Sequence, residues 1–339
     1  MHAEWDRNLF DEKQDGTVVS SLIQLSNWLR PSHALKNLLI LPGAGLGWIL
    51  AGGFLEGSQF AVSVGNVAVA LLACCLVAAW NYALNDCCDR EGDRWHPEKS
   101  GRVAVGERIG FAKLLAVGVA LLSGAVAVVW LGGLGTAVAV VLGLFALSGA
   151  LYNIPPARLK RFPFLDVMAE AVNFPIRLAL GWYAVVPQGP LPPLSALLAM
   201  WAFGGVLLTG KRAAELARIG DAATARAYRP ALLHYTRERA LVVSSLYGMV
   251  MLFGAGVICA VYPPLHNLIF LLPAVLALMG LYFWTLADAD LAARELEPEK
   301  LLRRRAVWLA GLALGLLALG LVGLPDDLTA RLGFFGGGE

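Results

Sequence analysis

Apolar residues run along this chain in blocks of about twenty, separated by shorter polar stretches, and strand-like alternation is absent from those blocks. About 20 apolar residues cross a bilayer as a helix. Runs of that kind predict nine membrane-spanning helices, near 35–55, 60–84, 111–131, 134–152, 164–186, 193–209, 240–262, 265–287 and 306–324. Several are rich in Gly and Ala, as in VGVALLSGAVAVVWLGG, which suits close helix packing in lipid. The expected division is a polar lead-in at 1–34, a transmembrane domain at 35–324 and a tail at 325–339.

Composition agrees with this pattern. The 339 residues are 58% hydrophobic and 15% charged, with a mean hydropathy of +0.64, where a soluble domain carries roughly 25% charged residues. The expectation is an all-α integral membrane protein. A net charge of +2 is too small to argue for a nucleic-acid partner. The five cysteines lack metal-finger spacing and read as free thiols. The opening MHAEWDRNLFDEKQDG has no signal-peptide pattern and reads as a cytosolic lead-in.

Lys and Arg test the span count, because cytoplasmic loops are enriched in both. Of the 27, 25 fall in the N-terminal segment to Lys36 and in loops 85–113, 153–163, 210–239 and 288–305. The intervening turns GGFLEGS, GGLG, VVPQGPLPPLS and VYPPLHN hold none. This alternation predicts a cytoplasmic N-terminus, cytoplasmic catalytic loops and a C-terminus on the opposite side. The localisation expected is the inner or cell membrane.

The chemistry gathers at those loops. NDCCDREGD places Asp86, Asp89 and Asp93 at i, i+3 and i+7, so a continuing helix points all three from one face. Crowded carboxylates need a counter-charge, and hard oxygens at this spacing suit Mg2+ shared with substrate phosphates. Asn85 sits at the same rim, and Lys99 and Arg102 could hold a phosphate. The bland alternative is a solvated acidic loop capping a span.

A second loop reads LYNIPPARLKRFPFLDVMAEAVNFPIR. It offers Tyr152, a basic turn of Arg158, Lys160 and Arg161, and then Asp166 and Glu170 at i, i+4, a candidate second carboxylate site. Ordinary topogenic cations and a helix-start acid would explain the same residues. Arg177 lies inside the predicted fifth span, where an ionisable residue is a functional candidate unless it snorkels to the interface. In a third loop, Lys211, Arg212 and Glu215 open an amphipathic stretch; Glu215 could simply pair with Lys211. His234 and Tyr235 read as structural. Asp288 and Asp290 lie in a fourth loop, and Arg303–Arg305 read as a lipid-headgroup anchor. The sequence has no Walker loop, GxGxxG, GxSxG or His-rich metal spacing.

With NDxxDxxxD after the second span and a Tyr–Lys–Asp loop after the fourth, the chain resembles the UbiA superfamily of intramembrane prenyltransferases. The second motif has Glu170 where a DxxxD would end in aspartate. LRPSHALKNLLIL, DREGDRWHPEKSGR and GKRAAEL look more closely like the decaprenyl-phosphate phosphoribosyltransferase branch, with Val103 and Ala34 departing from its usual residues. The resemblance implies a nine-helix bundle with cytosolic catalytic loops. It also implies Mg2+ on Asp86, Asp89 and Asp93, and substrate contacts from Lys36, Asn37, Asn85, Lys99, Arg102, Tyr152, Lys160, Asp166, Lys211, Arg212 and Glu215, to which the residue reading adds Glu170 and Arg177.

The implied reaction moves phosphoribose from phosphoribosyl pyrophosphate onto a polyprenyl phosphate, with Asp166 or Glu215 on ribose hydroxyls. The expected partners are those two substrates and membrane lipids; a homo-oligomer stays open. The rival readings are a UbiA-type aromatic prenyltransferase using a polyprenyl diphosphate, and a transporter. A transporter would place charge near the bilayer midplane, with internal repeats, and here the charge crowds one mouth.

Overall fold

The computed structural model describes residues 35–50, 58–96, 111–296, 305–322 and 324, and every regular element among them is helical. Helix α1 covers Leu35–Leu50 and begins as a 3-10 turn. It is followed by α2 at Ser58–Cys88, the short α3 at Arg90–Asp93, α4 at Phe111–Leu131 and α5 at Thr136–Asn153. A 3-10 turn at Leu159–Arg161 leads into α6 at Leu165–Ala171 and α7 at Asn173–Val185. Helices α8 at Leu194–Ile219, α9 at Ala222–Tyr228 and α10 at Arg237–Val261 come next. Then follow α11 at Leu272–Ala287, α12 at Ala289–Glu295 and α13 at Arg305–Val322.

Among the described residues six helical stretches are long and apolar enough to cross a membrane: Gln59–Cys88, Leu114–Leu131, Thr136–Asn153, Leu194–Ile219, Arg237–Val261 and Pro263–Ala287. The stretches Leu35–Leu50 and Leu309–Val322 are apolar but shorter. The run expected as a fifth continuous span, 164–186, is instead broken into α6 and α7. Pro175 explains the break. It lacks an N–H and its ring crowds the carbonyl four residues back, that of Ala171, where α6 ends.

Large apolar side chains such as Val126, Trp130, Phe253 and Trp284 are exposed on the outside of the bundle, the inverse of a water-soluble surface and suited to lipid. Inside, small residues bring helices together. A Cβ on Gly43 of α1 would lie 1.8 Å from the Leu178 carbonyl oxygen of α7, and one on Gly181 would lie 1.9 Å from that of Ile40. The two backbones therefore touch, as small-residue contacts in membranes allow. Around this contact, Ile40, Ala44, Cys74, Val141, Phe145 and Leu180 form a buried core.

Helix α2 is unusually long. Its 31 residues extend about 46 Å at 1.5 Å per residue, against a hydrocarbon layer of about 30 Å. The excess carries Asn85 and Asp86 past what spanning requires, and this end of the bundle is where the polar side chains meet.

Candidate functional site

Asp89 leaves helical geometry after α2 (φ −101°, ψ 4°). The turn spacing nonetheless persists, because the Asp89 N–H bonds the Asn85 carbonyl at 2.9 Å and the Asp93 N–H bonds that of Asp89 at 2.8 Å. Asp86, Asp89 and Asp93 thus keep the helical register that the sequence spacing implies. The basic turn folds against them. Arg158, at φ 33°, donates from Nη2 to the Cys88 carbonyl at 2.9 Å and so covers the last turn of α2. Lys160, almost completely buried, reaches Asp89 Oδ1 at 2.6 Å and donates to Asn153 Oδ1 at 2.7 Å. Burial lowers the pKa of Lys160 below the ordinary lysine value, and Asp89 opposes that shift. Arg229 approaches the other oxygen of Asp89 at 3.7 Å.

Behind this pair lies a second cluster, built on Arg212 of α8. Its Nε donates to Asp166 Oδ2 at 2.8 Å, its Nη2 to Glu170 Oε2 at 2.6 Å and to the Tyr152 hydroxyl at 2.9 Å, and its Nη1 to Glu215 Oε2 at 3.1 Å. One planar guanidinium therefore arranges three carboxylates from three positions, as its fork of donors permits. Tyr152 donates in turn to Glu170 Oε2 at 3.0 Å. Asp166 is fully buried, and its other oxygen accepts from Tyr235, whose hydroxyl also takes the Phe164 N–H at 2.9 Å. That bond holds Phe164 at a φ of 66°, a conformation that costs a non-glycine residue about 1–3 kcal/mol.

Burial and the Asp166 charge raise the pKa of Tyr235, so it stays a donor. Burial would also raise the Glu170 carboxyl, but Arg212, then Lys211, Arg229 and Lys36, outweigh it and hold Glu170 down at about 2. The fields of Lys36 and Lys211 thus reach the same carboxylate, whose side chain is 25% exposed.

Arg177 of α7 turns into the bundle. It donates from Nε to Asn37 Oδ1 at 3.0 Å and from Nη1 to the Asn173 carbonyl at 2.8 Å, with its guanidinium carbon 4.6 Å from the centre of the Phe145 ring. Asn37 donates onward to Cys75 Sγ at 3.2 Å. Arg177 is 5% exposed, so the snorkelling alternative fails. Neutral groups and an aromatic face hold this cation inside the bundle.

Of the sequence candidates, the structure brings Asp89 and Lys160 into direct contact. It joins Tyr152, Asp166, Glu170, Arg212 and Glu215 into one network, and it pairs Asn37 with Arg177. Lys99 and Arg102 lie outside the described residues. Glu215, which could have served only to pair with Lys211, makes a buried bond to Arg212. Tyr235 is more than structural filler, since it orients Asp166. Three residues escaped the sequence reading: Asn153, Tyr228 and Arg229. Arg229 had one local signal. It precedes Pro230, which disfavours helix, and its extended backbone (φ −155°, ψ 103°) ends α9. The Tyr228 hydroxyl reaches Glu215 Oε1 at 3.5 Å.

Among the described residues no group of three or more His, Cys, Asp or Glu side chains is placed to hold a metal ion by itself. The donor chemistry of Asp86, Asp89 and Asp93 fits instead a hard cation that completes its shell with phosphate oxygens, as Mg2+ does.

Comparison with known proteins matches residues 46–296 to the UbiA prenyltransferase family. A decaprenyl-phosphate phosphoribosyltransferase of Mycolicibacterium smegmatis is 32% identical over 207 residues, covering 59% of this chain and 58% of that protein. Its counterpart in Corynebacterium glutamicum is 29% identical over 189 residues, 56% of this chain and 53% of that protein. The match thus spans little more than half the length of either relative. A solved UbiA homolog from Archaeoglobus fulgidus bound to GPP and Mg2+ superposes with a TM-score of 0.57 at 16% identity, over 88% of this chain and 96% of its own. The same homolog bound to Cd2+ gives 0.60 at 14% identity, over 89% and 100%.

Proposed function

Because the chain belongs to the UbiA prenyltransferase family, we propose that it is a transferase that moves phosphoribose from phosphoribosyl pyrophosphate to a polyprenyl phosphate. The observation that carries this reading is the match to two relatives named decaprenyl-phosphate phosphoribosyltransferase. The geometry of the mouth gives it chemical content.

Both substrates are anionic, so cations must bring them together. Lys36, Lys160 and Lys211 supply charge around the mouth, and Lys99 and Arg102 belong to the same proposal from their sequence positions. Asp86, Asp89 and Asp93, with Asn85 at the rim, would hold Mg2+. That ion, when bound, would supply charge to neutralise the diphosphate and ease its departure. The bond from the ribose anomeric carbon to pyrophosphate breaks with its electron pair, and a lipid phosphate oxygen forms the new bond to that carbon. The attacking phosphate is already ionised, so the site needs no strong general base.

Recognition of the ribose falls to Glu170. Asp166 is fully buried with both oxygens engaged by Arg212 and Tyr235, and Glu215 is 1% exposed. These two position Arg212, which in turn presents Glu170 and Tyr152. Arg177 and Asn37, 5% and 1% exposed, are buried against each other in the same way and would position α1 against α7, with the polyprenyl tail among apolar helices. The Lys and Arg asymmetry supports a cytoplasmic mouth and N-terminus, and residues 35–324 would form the catalytic domain.

The test is a substrate-pair assay on purified protein with Mg2+. One reaction holds phosphoribosyl pyrophosphate and a polyprenyl phosphate; the other holds a polyprenyl diphosphate and hydroxybenzoate. Polyprenyl phosphoribose in the first alone, lost in Asp86→Ala and Asp89→Ala, is the expected result. A prenylated aromatic in the second would assign the chain to prenyl transfer instead.

A further inference from the structure

The second acidic motif already contains a cation. Asp166 and Glu170 of α6 and Glu215 of α8 all bond the Arg212 guanidinium, at 2.8, 2.6 and 3.1 Å. Their oxygens are committed one by one. Asp166 gives Oδ2 to Arg212 and Oδ1 to the Tyr235 hydroxyl. Glu215 gives Oε2 to Arg212 and turns Oε1 towards the Tyr228 hydroxyl at 3.5 Å. Glu170 Oε2 takes both Arg212 and the Tyr152 hydroxyl. A divalent ion such as Mg2+ needs about six ligands in a near-ideal arrangement, and here it would have to take those oxygens from charged and hydroxyl donors. Arg212 cannot yield them. Its side chain is 2% exposed, and a guanidinium keeps its proton, so displacing it would leave a permanent cation buried without a partner.

We propose that Arg212 is the resident cation of the second acidic motif, doing with a fixed guanidinium what a divalent ion would do there. Asp166, Glu170 and Glu215 then take no metal, and the motif is assembled before any substrate or ion arrives. Glu170, the most exposed of the three, keeps Oε1 for a hydroxyl donor. The confinement of metal to Asp86, Asp89 and Asp93 rests on the Mg2+ reading proposed above; the role of Arg212 does not.

The experiment counts Mn2+ on the full chain in detergent by equilibrium dialysis and elemental analysis, with and without inorganic pyrophosphate. Wild type and Glu170→Gln are expected to bind the same single Mn2+, which Asp89→Ala loses. Arg212→Ala leaves three carboxylates around a cavity and is expected to take up one Mn2+ more than wild type. Methylguanidinium should raise the melting temperature of Arg212→Ala and leave that of wild type unchanged. If Arg212→Ala does not fold, Glu170→Gln still decides: one Mn2+ fewer in that variant than in wild type would overturn the proposal. So would a folded Arg212→Ala that binds no more Mn2+ than wild type. A wild type without Mn2+ beside an Arg212→Ala that binds it would support the role of Arg212 and count against the metal reading of the first motif.

Discussion

Arg212 and Glu170 meet at 2.6 Å although 42 residues separate them in the chain, and the same guanidinium also holds Asp166 and Glu215. Removing it strands three carboxylates at once. Arg212→Met is therefore expected to cost about 3–5 kcal/mol of stability, the usual penalty for breaking a buried ion pair from one side. Arg212→Lys keeps the charge but loses the planar fork, and should recover only part of it. Denaturant unfolding in detergent measures both; equal stability of wild type and Arg212→Met would refute the assignment.

Tyr235 links that network to the backbone. In Tyr235→Phe, Asp166 loses a buried donor and the Phe164 N–H loses its acceptor. Leaving such groups unpaired costs about 1–3 kcal/mol. Because Asp166 orients Arg212, the variant is expected to lower kcat as well as the melting temperature, without changing the metal requirement.

Acid should loosen the site through Glu170. Its folded pKa of about 2 lies below the ordinary 4.5, so the ionised form is the one the fold favours. That stabilisation is fully present above pH 4.5 and disappears as the pH falls towards 2. Melting temperature is expected to drop across this window, and to drop less steeply in Glu170→Gln. Parallel curves for the two proteins would assign the acid sensitivity elsewhere.

The contact of α1 with α7 offers a test remote from the charges. Gly181→Ala drives a methyl into the Ile40 carbonyl, forcing the helices apart at a cost of about 1–3 kcal/mol or more. Separation also withdraws Asn37 from Arg177. Transferase activity is expected to fall beyond what the stability loss explains.

Much of the architecture was legible in the residues. The run ending in Asn85 and Asp86 is long, apolar and abruptly polar, and both the helix and its polar end follow from that. The break in the 164–186 run was equally visible in Pro175, but the strength of the hydrophobic signal masked it. Pairing was less legible. Asp166 and Glu170 share a helical face in sequence, yet their partner Arg212 lies 46 and 42 residues away, and nothing local selects it from the cations of its own loop. Arg229 was hidden for the same reason. The polar loops hold so many Lys and Arg residues that one buried by the fold looks like its neighbours until the chain is folded.

The length of α2 bears on which membranes can host this protein. A helix about 46 Å long in a layer of about 30 Å has slack, and the rim it carries is moored sideways, by Arg158 to Cys88 and by Lys160 to Asp89. Thinner or thicker bilayers are then absorbed by tilt and by sliding of the surplus turns, while the reacting groups keep their spacing. Turnover in vesicles of short-chain and long-chain lipids should therefore differ little.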